Sequence, residues 1–415
     1  MKTETKQRIE QIRRGEVPEG YKQAGQNIVP NTWNRLSFEQ VAIVRSGLVS
    51  PKTEPYSSML HIGPENIEKD TGKIENVRSA SELGLISGKF YFDSSSIVYS
   101  KIRPNLNKVC VPDFEGICSA DCYSIKARDN VDKNYLFTLM LSHQFYKRAV
   151  ACSMRTGMPK INQDDLNAIC LVFPDNLEEQ HKIAAILTTQ DRVIELKEKR
   201  LAEKQRQKKY LMQQLLTGKK RLPGFYGAWS FPKAKELFQS VSDKDHNGDL
   251  AVLSSTQDRG IVPRDEVDID IKYDACSLVN YKKVSKGNFV ISLRSFQGGI
   301  EYSTYTGLVS PVYTVLSSRK EISDGYYKQF FKSTDYINRL NVAVYGIRDG
   351  KQISYEDFGR LRIPYPPIKE QDAIAEVLST ADHEIDLLQQ DIEQEKQKKK
   401  ALMQLLLTGI VRVKT

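Results

Sequence analysis

The sequence predicts an α+β protein made by tandem duplication: two similar globular domains joined by two long antiparallel coiled-coil helices, a pseudo-two-fold internal repeat. Three observations predict it. Residues 178–222 recur as residues 369–413, 191 positions later and without a gap, and about 19 of the 45 positions are identical. Each copy runs without Pro or Gly until Gly218 or Gly409. Each follows a stretch of like size in which short β-rich runs alternate with Gly and Pro turns. A fixed self-similarity is read first because it decides the architecture.

The helical copies match at Glu179/Glu370, Gln180/Gln371, Ile183/Ile374, Ala184/Ala375, Leu187/Leu378, Asp191/Asp382 and Ile194/Ile385. They match again in the block LMQxLLTG, Leu211–Gly218 and Leu402–Gly409. Apolar residues seven apart (Leu187, Ile194, Leu201; Leu378, Ile385, Ile392), with Ala381 and Leu388 in the second seam, give the thin stripe of a coiled coil. At 1.5 Å per residue a helix of about 40 residues is roughly 60 Å long. The stripe alone also suits a dimerisation coil. The second copy favours an internal pair, because one chain then carries both sides of the seam. A glycine just past each copy fits a helix end. The Glu-Gln pairs read as shaping the helix start, and the basic runs Lys204–Lys209 and Lys396–Lys400 as solvated helix faces.

The divisions expected are a first globular domain at 1–177 with a lead-in at 1–32, a central helix at 178–222, a second domain at 223–368 and a C-terminal helix at 369–415. The lead-in reads as a short charged helix closed by Gly15 and Pro18, then a loop to Trp33. Strands are expected at Val41–Val44, Phe90–Phe92, Ile97–Ile102, Asn107–Val111 and Ile169–Phe173, and one helix at Asn134–Ala151. The second domain opens at Trp229, with strands at Leu250–Leu253, Phe289–Leu293 and Val312–Leu316 and a helix at Tyr326–Leu340. Faint echoes keep the same 191-residue register: Arg103/Arg294, Gly116/Gly307, Ser119/Ser310, Tyr135/Tyr326 and Lys160/Lys351. The helices have drifted less than the domains, so they share one task while the domains perform two versions of another. If each domain's ends lie close together, the helices pack antiparallel and hold the domains apart at a fixed spacing.

Six cysteines without a CxxC pair and five scattered histidines indicate neither a zinc site nor a disulfide framework, and a reducing cytoplasm is expected. The N-terminus has no apolar core and no apolar run approaches the length that spans a bilayer, so no membrane role is expected. The net charge of +9 suits a polyanionic partner, but residues 178–222 alone hold 12 basic against 6 acidic side chains. The globular stretches are nearly balanced, so any nucleic acid they bind is held by local patches. There is no GxxxxGK[ST] phosphate loop. No NPPY-type methyltransferase box occurs; Pro364-Tyr365-Pro366-Pro367 reads as a stiff turn into a helix, and Asp113 with Glu115 lacks the lysine of a nuclease site. The sequence therefore reads as a non-enzyme.

A Pro followed by Glu-Gln and IAxxL at the end of each globular half, then a long helix closing on LMQxLLTGxxR, resembles the specificity subunit of type I restriction-modification enzymes. GEVPEGYKQAGQNIVPNTW and KKRLPGFYGAW are similar to that family's lead-ins to its target recognition domains. The likeness covers the whole length in architecture; it is specific in the helices and weak inside the domains. It implies a subunit that has no catalytic activity and reads a split, asymmetric site in double-stranded DNA, one half per domain, with the helices setting the gap. It implies two methyltransferase subunits, and two restriction and translocase subunits for cleavage. It also implies that no cofactor sits in this subunit, S-adenosylmethionine, ATP and Mg belonging to the partners. A targeting subunit for a fused nuclease-methyltransferase has the same sequence features. A duplicated coiled-coil scaffold without DNA binding is the alternative of another class.

Base edges are read most often by Arg or Lys at guanine and Asn or Gln at adenine. In the first half, Lys101, Arg103, Asn105, Asn107 and Lys108 leave an expected strand together, and Arg155 and Lys160 flank a glycine. In the second half the corresponding candidates are Arg294, Ser295 and Gln297, then Tyr345, Arg348, Lys351 and Gln352. For any one of them a solvated basic turn is the plain alternative. Arg103 and Arg294 form the best pair. Leu211, Met212, Leu215 and Leu216, with Leu402, Met403, Leu406 and Leu407, give more apolar surface than a two-helix seam needs. They are candidates for packing on the domains or on a methyltransferase subunit.

Overall fold

The computed structural model describes residues 3–153, 158–267, 275–293, 295–344 and 353–414. They form two compact units, Met1–Leu196 with Ile392–Thr415, and Lys197–Asp391. This division differs from the expected one. Each long helix, Leu177–Leu215 and Ile368–Leu406, is 39 residues long and is shared between the units, because each of its ends is buried in a different core.

In the first unit the helix Thr3–Arg13 leads to an antiparallel hairpin, Tyr21–Ala24 with Asn27–Pro30. The loop expected here is corrected: Gly25, at φ 65°, lets two residues reverse the chain, so the flanking segments pair. An antiparallel sheet follows in the order Val109–Cys110, Ser96–Ser100, Cys122–Ala127, Ala42–Val44. A second sheet sets Gly116–Cys118 parallel to Leu60–Ile62 and antiparallel to Lys89–Phe92. Phe92, Val98, Cys110, Cys118 and Cys122 fill a small core with Ile62 and Ile67. The main core packs Trp33, Phe38, Tyr99, Tyr135, Phe145 and Phe173. Against them lie Ile183 and Leu187 of the first long helix, and Leu406 and Leu407 of the second.

The second unit repeats this plan. Phe238–Val241, Thr314–Ser318, Phe289–Ile291 and Glu301–Tyr302 form its four-stranded sheet. Phe238, Phe289, Tyr326, Tyr327, Phe331 and Tyr336 build its core with Ile374 and Leu378, and with Leu215 and Leu216. The 191-residue register reaches individual contacts. A Cβ on Gly116 would lie 2.5 Å from the Leu60 carbonyl oxygen, and one on Gly307 would lie 2.5 Å from that of Ala251. Both glycines and both carbonyls are 191 apart. In each half the single helix expected is two, Lys133–Leu141 with His143–Cys152 and Asp324–Phe330 with Thr334–Val344. Ser142 breaks the first by accepting a hydrogen bond from the Phe145 N–H, and Ser333 does the same for Tyr336. A serine hydroxyl offers the backbone an alternative to the helical bond, so an apolar stripe reads through a break that the chain makes.

Within each unit the two long helices run antiparallel, joined by ion pairs that repeat. In the first unit Lys399 meets Asp191 at 2.5 Å and Arg412 meets Glu179 with both arms. In the second, Lys208 meets Asp382 and Arg221 meets Glu370 in the same way. Lys204 also meets Glu384 at 2.6 Å, so part of the basic run expected to be solvated ties the helices together. Glu179 and Glu370 are fully buried, and each also accepts from a tryptophan indole, Trp33 or Trp229. The following glutamines brace the same junctions. Gln180 accepts from the Asp132 N–H and donates to the carbonyls of Asn130 and Pro174. Gln371 accepts from the Ser323 N–H and donates to Pro366.

Candidate nucleic-acid interface

The strand Ser96–Ser100 runs out into a short turn whose shape is fixed by two residues in the left-handed region, Arg103 at φ 48° and Asn107 at φ 46°. Between them Pro104–Leu106 makes one tight helical turn. The 158–161 segment lies alongside: the Arg103 N–H donates to the Pro159 carbonyl, the Ile161 N–H donates to that of Lys101, and Ile102 bridges Lys160. The fold therefore brings Lys160 of the second basic cluster beside the first.

Inside this cluster the side chains divide. Arg103, Asn105 and Lys160 are exposed. Lys101 is half-buried, its ammonium 5.1 Å from the Tyr123 ring and 5.9 Å from that of Phe90. Burial, then repulsion from Lys160, lowers its pKa. An ammonium so placed has little freedom to search base edges. Lys108 donates to the Pro64 carbonyl at 2.6 Å.

Asn107 is corrected as a base reader. It is buried, and its amide nitrogen donates to Asp70 Oδ1 at 3.1 Å and to the Leu141 carbonyl at 3.2 Å. A turn rich in Asn and Lys looks uniformly solvated in sequence; the left-handed backbone rotates this one inward. Asp70, itself at φ 63°, escaped the sequence reading although Asp-Thr-Gly is a plain turn signal.

In the second unit Ser295 is also corrected: it is buried and accepts from the Ser292 N–H, capping a turn. Gln297 is exposed. Arg155 in the first half, with Arg294, Tyr345, Arg348, Lys351 and Gln352 in the second, lies outside the described residues. The apolar helix ends pack within the chain. Leu406 and Leu407 are buried in the first core, with Leu402 and Met403 against it; Leu215 and Leu216 are buried in the second, with Leu211 and Met212 against it. Of the two destinations expected for this surface, the domain cores take the four buried leucines.

Among the described residues no helix is long and apolar enough to cross a membrane. The family model for the type I restriction modification DNA specificity domain matches twice, at residues 65–206 and 228–397. The EcoDI type I specificity subunit of Escherichia coli is 39% identical over 178 residues, 43% of this chain and 37% of that protein. This chain thus aligns with little more than a third of that relative's length. A putative type I specificity subunit, MjaX, of Methanocaldococcus jannaschii is 24% identical over 96% of this chain and 98% of its own. The HsdS subunit of Thermoanaerobacter tengcongensis has a similar fold, with a TM-score of 0.52 at 20% identity over 93% of this chain and 99% of that one. The S subunit from M. genitalium gives 0.54 at 14% identity over 95% and 99%. With the specificity domain matched in both halves, the chain belongs to the type I restriction modification DNA specificity family.

Proposed function

We propose that this chain, a DNA sequence-specificity subunit, recognises a split, asymmetric site in duplex DNA, one half through each unit. The observation that carries the reading is the doubling itself: one specificity domain matched twice in a chain whose halves share contacts 191 residues apart. In the first unit Arg103 and Asn105 are the base-reading candidates and Lys160 the phosphate contact, since guanidinium and amide groups match base edges whereas an ammonium acts as a point charge. The long helices set the number of base pairs between the half-sites. They also dock two methyltransferase subunits, which hold S-adenosylmethionine and modify adenine, while two ATP- and Mg-dependent restriction subunits join for cleavage. This chain supplies recognition and no bond-making group.

The reading is tested by titrating duplex DNA against the chain assembled with its methyltransferase subunits at several salt concentrations. Tight binding to one split sequence is expected, with log affinity falling linearly in log salt by roughly 0.9 per phosphate neutralised. Weak binding without salt dependence would favour a coiled-coil scaffold.

A further inference from the structure

Among the described residues, four that are not glycine have positive φ: Asp70, Asn76, Arg103 and Asn107. Three of them meet at one place. Asp70 and Asn107 are joined twice, by the Asp70 N–H to the Asn107 carbonyl at 3.3 Å and by the Asn107 amide to the Asp70 carboxylate. Behind them Gly72 packs so tightly that a Cβ would lie 2.6 Å from the Phe137 ring. Strained backbone of this kind persists only where surrounding contacts fix it, and it gathers at functional sites. Here it carries Arg103 on one side and the bond from Asn107 to the Leu141 carbonyl, at the end of the helix Lys133–Leu141, on the other.

The same bond exists in the second unit with its chemistry reversed. Positions 107 and 141 correspond to 298 and 332 in the 191-residue register. There the side chain comes from the helix end: Lys332 Nζ donates to the Gly298 carbonyl at 2.9 Å and to that of Gln257 at 3.1 Å. Its charge is met by Glu301, whose carboxylate is buried. Gly299, at φ 84°, lies so close to the Phe331 carbonyl that a Cβ would sit 2.1 Å from it. Between the two halves the turn sequences have diverged beyond recognition, yet the tie between turn and helix end stands at the same pair of positions.

We infer that each unit fixes a reading turn with a latch to the end of the neighbouring helix, Asn107 to Leu141 in the first and Lys332 to Gly298 in the second. The turn so fixed is the one carrying Arg103 and Asn105 in the first unit, and Ser295–Gly298 with the exposed Gln297 in the second. Asn107 and Lys332 are thereby positioning residues for base discrimination. The inference rests on the DNA-reading role proposed above. A reader held in one orientation pays little ordering cost on binding and rejects a wrong base by leaving its polar atoms unpaired.

The test is the methylation motif written in cells by the full chain with its methyltransferase subunits. Asn107→Ala is expected to make one half of the motif degenerate, with discrimination at an affected position falling roughly tenfold or more, while the other half stays as it was. Lys332→Met combined with Glu301→Gln, which removes the latch without stranding a buried carboxylate, is expected to loosen the opposite half. Asn107→Asp keeps the size and turn preference but loses the donor, and loosens the first half as well. Adding Asp70→Asn restores an amide-to-carboxylate bond between these two residues but no donor to the Leu141 carbonyl, so the motif is expected to stay loose. Weaker methylation with an unchanged motif in these variants would mean a purely structural role and overturn the inference. A wild-type chain that writes no split motif would instead overturn the DNA-reading role and the latch with it.

Discussion

A carboxylate without access to water must find its partners inside the protein, and Glu179 and Glu370 find the same two kinds: an arginine fork and an indole N–H. Removing the arginine leaves the charge stranded, which costs far more than the pair contributes. Arg412→Ala is expected to destabilise the first unit by about 2–3 kcal/mol in denaturant unfolding, discounted because the arginine is one-third exposed. Glu179→Gln, which strands no charge, is expected to cost less. The repeated Glu-Gln pair was visible in the sequence, but its partners stand 233 and 149 residues away and no local rule reaches them. Asp93 shows the same physics in an acid titration. Burial pushes its carboxyl up, but hydrogen bonds from Ser95, Arg45 and Ser96 outweigh it and hold the pKa at about 2. A depressed folded pKa stabilises the protein above the unfolded value of 3.8 and loses that contribution as pH falls towards 2. Asp93→Asn is therefore expected to cost about 1 kcal/mol at neutral pH, after allowance for partial exposure, and to flatten the stability curve between pH 4 and 2.

At the scale of elements, Gly116 and Gly307 show what a repeated strand pair demands. Each faces a carbonyl at a distance no Cβ tolerates, so alanine forces Gly116 away from the parallel strand Leu60–Ile62 and Gly307 away from the Ala251 backbone. Gly116→Ala and Gly307→Ala are each expected to destabilise their own unit by about 1–3 kcal/mol, read as a lower unfolding midpoint. The repeated ion pairs predict a second outcome. Reversing Asp191 to Lys costs stability, and adding Lys399→Asp recovers most of about 0.5–1 kcal/mol. Much of this level was legible. Seven-residue spacing gave the long helices, and Leu187, Ile194, Leu378, Ile385 and Ile392 are buried as the seam requires. What failed was backbone detail. Gly25 closes a hairpin where a loop was expected, Ser142 and Ser333 split helices whose apolar pattern runs on, and Asn107 turns inward on a left-handed backbone. Each is decided by one residue's dihedral angles or one side-chain hydrogen bond, and periodicity averages over both.

For the whole chain, duplication assigns the labour. The helix copies keep the residues that close each unit, Glu179 with Arg412 and Glu370 with Arg221, while the domains keep a framework and vary the turn it carries. The candidate site was legible as composition, a run of Lys, Arg and Asn after a strand, and illegible as geometry: Arg103 and Lys160 point outward while Asn107 and Ser295 serve the fold. The most direct test of the central claim is the methylated motif of cells carrying the chain and its methyltransferase partner, compared between wild type and Arg103→Ala. A split, asymmetric motif is expected in the wild type. In the variant one half should lose definition at a single position, by about 1–3 kcal/mol of discrimination, while the other half remains intact. A contiguous motif, or a variant that changes both halves together, would contradict two independent readers in one chain.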